Sequence, residues 1–143
     1  MCASVYAEAM VDMNKTERGS IAENLALAHL QAAGLVLVAR NYKTPGRGGG
    51  EVDLIMQEPA GKHAAEATLV FVEVRQRINQ QHGGAAASVG SVKQRRVIFA
   101  ARYYLLRLAK TPPCRFDVVS VEGDLSCKPR IDWLRGAFDA PSY

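Results

Sequence analysis

GGGEVDLI (Gly48–Ile55) and LVFVEVRQR (Leu69–Arg77) are two β-forming runs separated by a polar turn that contains Pro59 and Gly61. Glu51–Met56 alternates, with Val52, Leu54 and Met56 on one face and Glu51, Asp53 and Ile55 on the other, the two-residue period of a strand. In the second run Val70, Val72 and Val74 share one face, and Leu69, Phe71, Glu73 and Arg75 share the other. The short turn between the runs predicts an antiparallel hairpin. Asp53 and Glu73 each interrupt an otherwise apolar strand. A dry, unpaired carboxylate costs several kcal/mol, so each is expected to be paired, metal-bound or solvated in a cleft.

Outward from this hairpin, Gly19–Ala33 reads as a helix, with Ile21, Leu25 and Ala28 on one stripe and Leu27 and Leu30 on the next. Ser20-Ile-Ala-Glu23 has capping-box spacing, and Gly34 supplies the stop. Leu35–Ala39 is a short apolar strand. Asn41–Gly50 (NYKTPGRGGG) holds four glycines and a proline and is expected to form an irregular loop. It matches neither GxxxxGK[ST] nor GxGxxG, so a nucleotide-binding loop has no support. A second loop, rich in Gly, Ala and Gln, covers Asn79–Gly90. Ser91–Lys110 reads as the longest helix, burying Val97, Ala101, Tyr104, Leu105 and Leu108 and ending at Pro112-Pro113. Arg115–Val121 is a further strand, and Pro129–Leu134 a short one. The order α–β–β–β–α–β predicts an α/β fold with helices covering a mixed sheet. Residues 1–15 read as a poorly ordered leader and 16–143 as one domain.

The chain has 143 residues, 48% of them hydrophobic and 22% charged, which fits one globular domain and excludes wholesale disorder. No apolar stretch approaches the roughly 20 residues of a membrane helix. Three cysteines (Cys2, Cys114 and Cys127) with no CxxC pair, and three scattered histidines, support neither a disulfide scaffold nor a zinc site. The first eighteen residues lack a basic region ahead of an apolar core, so a reducing cytoplasm is the default expectation.

The net charge of +4 is unevenly spread. From Arg75 through Arg115 there are nine Lys or Arg and no Asp or Glu, and the rest of the chain carries nine basic and fourteen acidic residues. On the second helix Lys93, Arg96, Tyr103, Arg107 and Lys110 recur at helical spacing, and Arg95 and Arg102 flank them. With Arg75 and Arg77 on the adjoining strand they are expected to form a surface that neutralises phosphates, with Tyr103 available to stack on an exposed base. The plainer alternative is an amphipathic helix whose outer face is basic. No base-reading motif is present, which favours recognition of DNA shape or junction structure over sequence.

The Asp53/Glu73 pair admits two readings from spacing alone. One is a salt-bridge network of Asp53 and Glu51 with Arg75 and Arg77. The other is a Mg²⁺ site for phosphodiester chemistry, built from hard oxygen ligands beside a cation. The ordered set GGGEVDLI, LVFVEVRQR, GGAAASV with KQRR, and RFDVV resembles the YraN-like family of bacterial proteins, which look like small PD-(D/E)xK nucleases with Holliday-junction-resolvase-like, restriction-endonuclease-like three-layer cores. The resemblance covers about residues 19–139. It implies that Asp53 and Glu73 hold a metal (Mg²⁺ or Mn²⁺) together with the Val74 carbonyl. Glu23 matches the helix-one glutamate near the metal; its alternative is the capping box above. Arg75 stands where the nuclease motif has Lys; it can stabilise a phosphate but never acts as a base. Lys93 reads more readily as a surface lysine than as one migrated from the motif. The resemblance therefore implies a structure-selective DNA endonuclease acting on branched or single-stranded DNA, with a non-catalytic nucleic-acid-binding module as the alternative. In so short a chain, substrate selection must come from the core, a second copy in a homodimer, or another partner.

Overall fold

Leu69–Phe71–Val72 is apolar on both faces of its strand, and such a segment belongs at the centre of a sheet covered on both sides. In the computed structural model, which describes residues 14–61, 64–77 and 89–141, it lies there. The strands are β1 (Val36–Lys43), β2 (Glu51–Glu58), β3 (Thr68–Arg77), β4 (Cys114–Glu122) and β5 (Arg130–Phe138), and they form one sheet in that order. β1, β2 and β3 make an antiparallel meander, β4 runs parallel to β3, and β5 returns antiparallel. A parallel neighbour needs a crossover, and helix α2 (Ser91–Leu105) provides it; helix α1 (Lys15–Ala32) precedes the sheet. Ala22, Ala26 and Leu30 of α1 pack with Leu54, Met56, Val70, Val72, Val119 and Val121. On the opposite face Val97, Ile98, Ala100, Ala101 and Tyr104 of α2 pack with Val52, Ile55, Leu69, Phe71 and Phe116. The fold is thus a three-layer α/β/α arrangement around a mixed sheet. Among the described residues no helix is long and apolar enough to cross a membrane.

Several boundaries differ from the sequence reading. α1 begins four residues early because the capping box is not Ser20/Glu23. The Asn14 side chain accepts from the Glu17 amide at 2.9 Å, and the Glu17 carboxylate accepts from the Asn14 amide at 3.1 Å. Asn14 and Lys15, assigned to the leader, therefore start the domain's first helix; the remainder of the leader lies outside the described residues. So does the expected loop over 79–90 as far as residue 88. β1 extends through Lys43, which pairs with Glu51, so the irregular loop shrinks to the hairpin connection between Thr44 and Gly50. α2 stops at Leu105 and Leu108 is exposed, because the chain must be extended by Pro113, whose carbonyl accepts from the Leu69 amide at 2.8 Å as β4 enters beside β3. The tail strand is longer than expected, reaching Phe138.

The glycines of the hairpin connection have a packing reason. A Cβ on Gly50 would meet the Arg96 carbonyl oxygen and lie 2.5 Å from the Ala100 nitrogen, so β2 touches the backbone of α2 at this point. Thr44 closes the connection, accepting from the Gly50 amide at 2.7 Å. We predict that Gly50→Ala lowers thermal stability by about 1–3 kcal/mol, since backbone atoms cannot step aside. Gly19→Ala, in open space within α1, should instead raise it by about 0.5–1 kcal/mol. Urea unfolding of both variants checks the pair.

Candidate functional site: a carboxylate crevice where two strands part

The alternation read for β2 breaks at Asp53. Leu54 and Met56 face α1, whereas Val52 joins Ile55 on the α2 side. Across the ladder the register runs Arg40↔Leu54 and then Tyr42↔Val52, passing over Asn41 and Asp53. Asn41 takes the left-handed conformation (φ 48°), which asparagine tolerates better than other side-chain-bearing residues. On the other side, the pairing of β2 with β3 ends at Leu54↔Val72. The next amide of β3 that points toward β2, that of Val74, donates to Asp53 Oδ2 at 2.8 Å instead of to a strand carbonyl. Because the N–H and C=O of one strand residue point to the same side, the Val74 carbonyl faces the same gap.

Three carboxylates meet there. Glu73 is 2% exposed on the α2 face of β3. Burial, and then the charge of Asp53, push its pKa up to about 8. Glu23, on α1, is raised first by burial and then by the Asp53 charge, while a hydrogen bond from the Asn41 side-chain amide and the Arg40 guanidinium at 3.8 Å work against the rise. Asp53 is the junction, reaching Glu23 in one helical layer and Glu73 toward the other. Glu23 thus lies in the interior of α1 and is not a capping residue.

Lys93 is the residue that sequence reasoning misplaced. It is not a surface lysine: its Nζ lies 2.8 Å from Glu51 Oε1 and 3.5 Å from Glu73 Oε1. Burial alone would lower its pKa, but the Glu51 hydrogen bond and the Glu73 charge outweigh burial and raise it. The signal was available: Lys93 opens the crossover helix, whose N-terminal end must sit beside the C-terminal end of β3. Glu51 is held below the usual carboxylate range, chiefly by its hydrogen bond to Lys93.

Among the described residues four buried side-chain polar atoms have no hydrogen-bond partner: Arg40 Nε, Glu73 Oε2, Arg75 Nε and Ser120 Oγ. Glu73 and Arg75 share one face of β3, and Arg75 is paired in register with Ser120. Ser120 carried no signal in the sequence, because a serine in an apolar strand is unremarkable until its neighbours are known. Among the described residues no group of three or more His, Cys, Asp or Glu is placed to hold a metal ion. The donors nonetheless fit a hard cation: Asp53, the unpartnered Glu73 oxygen and the Val74 carbonyl are all oxygens. Mg²⁺ is commonly held by one or two carboxylates with water and phosphate completing its shell.

The proposed phosphate-binding residues divide. Arg95, Arg96 and Tyr103 lie exposed along α2, and Arg107 is exposed just past its end. Arg96 also reaches Glu51 at 3.6 Å. Arg102 donates to the Pro141 carbonyl at 2.8 Å, and Arg77 closes β3 opposite Glu122. Lys110 is not on the helix, which has ended, and it pairs with Glu66 at 3.7 Å. The cationic segment is thus partly neutralised in space by acids from other elements, Glu51 and Glu66 among them.

A three-layer α/β/α core with an acidic crevice at a strand parting, bordered by a basic helix, is the class of protein this fold and site define. Residues 22–121 match the family described as Uncharacterised protein family UPF0102, and the chain belongs to it. This is the YraN-like family whose motifs the sequence carries. A UPF0102 protein of Albidiferax ferrireducens is 60% identical over 124 residues, covering 87% of this chain and 88% of the relative. Another, of an Acidovorax species, is 60% identical over 122 residues, covering 85% and 84%. One from Cupriavidus taiwanensis is 54% identical over 127 residues, covering 89% and 86%.

Glu73 holds its proton more tightly in the folded chain than its ordinary carboxylate value allows when unfolded. Stability should therefore fall as pH rises from about 4.5 toward about 8. Glu51 and Glu58, both held low, act only on the acid side of that window. We predict that Glu73→Gln flattens the decline in melting temperature over this range and exceeds the wild type in stability at its alkaline end. An unchanged slope would contradict the assignment.

Proposed function

We propose that this protein is a metal-dependent, structure-selective DNA endonuclease that hydrolyses phosphodiester bonds. The observation that carries this reading is Glu73 Oε2, a buried carboxylate oxygen without a partner among the described residues, on a side chain that interacts with Asp53. Arg75 Nε and Ser120 Oγ, also buried and without partners there, belong to a pair in register two residues along β3. Buried polar atoms are nearly always hydrogen-bonded, so an unpartnered carboxylate oxygen where two strands part marks a place for a polar ligand. The salt-bridge alternative is less well supported, because Glu51 is paired by Lys93 and Arg96 of α2.

In this reading Asp53, Glu73 and the Val74 carbonyl hold Mg²⁺ or Mn²⁺, and Glu23 supports Asp53 from the other layer. The ion, when bound, polarises a phosphoryl oxygen and lowers the pKa of a bound water. Arg75 stabilises negative charge on the phosphate, since a guanidinium stays protonated throughout the physiological range. Lys93 supplies the ammonium that the Arg75 position lacks. Held protonated by Glu51, it acts as a fixed cation and hydrogen-bond donor rather than as a base. Arg95 and Arg96 receive the flanking phosphates.

Purified protein mixed with branched, flapped and linear DNA should cut only with Mg²⁺ or Mn²⁺. Asp53→Asn and Glu73→Gln should abolish cutting. Lys93→Met should reduce the rate about 100-fold, the usual scale for removing one charge-stabilising donor. Cleavage without metal, or equal cleavage by the variants, would sink the reading. Salt-sensitive binding without cutting would favour the non-catalytic module, for which Arg75 in place of Lys is the specific argument.

A further inference from the structure

Helix α2 leaves unburied a stripe that the site does not use. Val92 is 63% exposed, Phe99 53%, Tyr103 43% and Leu106 81%, a concentration of large apolar side chains on one 15-residue helix and its cap. At 100° per residue Val92, Phe99 and Tyr103 fall within a narrow arc. Arg96 lies on one side of that arc and Arg95 and Arg102 on the other, and Arg107 follows the helix end beside Tyr103 and Leu106. Gly48 and Gly49 of the hairpin connection form a shallow pocket with Val92, Arg95, Arg96 and Phe99. Farther along the helix Tyr42, Tyr103, Leu106 and Arg107 line a second. The tract starts at the carboxylate crevice, since Lys93 and Arg96 both reach Glu51.

We infer that this face is a binding track for an unpaired DNA strand, whose bases stack on Phe99 and Tyr103 while Arg95, Arg96 and Arg107 hold its phosphates. The inference rests on the nucleic-acid reading above and names the substrate class. Four residues separate the two rings, a rise of about 6 Å along the helix. Neighbouring bases in a duplex strand are only about 3.4 Å apart and are stacked on each other. Bases seated on both rings must therefore be unstacked from one another, which a single strand allows and a duplex does not. From Lys93 to Leu106 the helix spans about 20 Å, room for roughly three or four such nucleotides leading to the crevice. A second copy of the chain is the poorer occupant. Across a two-fold axis the same patch meets itself and would set these arginines against one another.

The test uses the full chain in EDTA, so that binding is read without cleavage. Fluorescence anisotropy compares labelled oligo-dT with a blunt duplex of equal length for the wild type, Phe99→Ala, Tyr103→Ala and the conservative Phe99→Trp. Single-strand affinity should exceed duplex affinity, fall about ten-fold for each alanine variant, and persist in Phe99→Trp. Duplex affinity should change little. Both alanine variants should keep the wild-type melting temperature, because the replaced rings are exposed. Undiminished oligo-dT binding by the alanine variants, or equal losses for single strand and duplex, would overturn the inference. So would a concentration-dependent dimer that Phe99→Ala dissociates. In parallel, a Mg²⁺-induced rise in melting temperature, lost in Asp53→Asn, reports on the crevice alone. If that rise persists while oligo-dT is ignored, the track fails and the metal site stands.

Discussion

The hydrogen bond from the Val74 amide to Asp53 Oδ2, 2.8 Å long, is the constraint on which the rest of the site depends. It takes the place of the ladder rung that β2 would otherwise supply, so the two strands can separate without leaving a buried amide unpaired. A bond of this kind to a charged acceptor contributes about 1.5–3 kcal/mol, enough to hold the parting open. It also fixes Asp53 between the helical layers, where its charge reaches Glu23 and Glu73 together. The left-handed turn at Asn41 on the adjoining strand belongs to the same device, because it lets β1 follow β2 through the change of face.

A second buried carboxylate in the same sheet shows what a purely structural acid looks like here. Asp117 is fully buried and accepts four hydrogen bonds: two from Arg115 at 2.8 and 3.0 Å, one from the Trp133 indole at 2.9 Å and one from the Gly136 amide at 2.9 Å. Arg115 is held in turn by Glu58, and Arg135 joins Glu58 while its guanidinium lies 3.9 Å from the centre of the Trp133 ring. That network pins the irregular pairing of β4 with β5 and leaves no acceptor vacant. Glu73 interacts with Asp53 and has the ammonium of Lys93 at 3.5 Å from Oε1, but among the described residues its Oε2 has no hydrogen-bond partner. Folding has satisfied both oxygens of Asp117 and left one oxygen of Glu73 without a partner among the described residues. The difference separates a structural carboxylate from one placed for a ligand.

Much of this was legible in the sequence. The hairpin, the faces of β3, the order of elements and the meeting of Asp53 with Glu73 follow from two-residue periodicity and from carboxylates where apolar residues belong. What escaped was set by tertiary geometry. The change of face at Asp53 needs the partner residue Asn41, two strands' worth of register and a third strand's amide. The Asn14/Glu17 cap competes with an equally good sequence match at Ser20/Glu23, and only the packing of α1 on the sheet decides between them. Lys93 and Ser120 are ordinary residues until the crossover brings α2 over the end of β3. Arg107, Leu108 and Lys110 continue the helical periodicity of the sequence past a helix end that Pro113 and β4 dictate.

Asp53, Glu73 and the Val74 carbonyl form a metal site only if the parted strands hold a divalent cation. Crystals of the protein grown with Mn²⁺ and measured near the manganese edge would locate it by anomalous scattering. We expect one strong peak between Asp53 and Glu73, within ligand distance of the Val74 carbonyl, that disappears in Asp53→Asn crystals. A crevice without anomalous density, with Lys93 bridging Glu51 and Glu73 unchanged in saturating Mn²⁺, would contradict it.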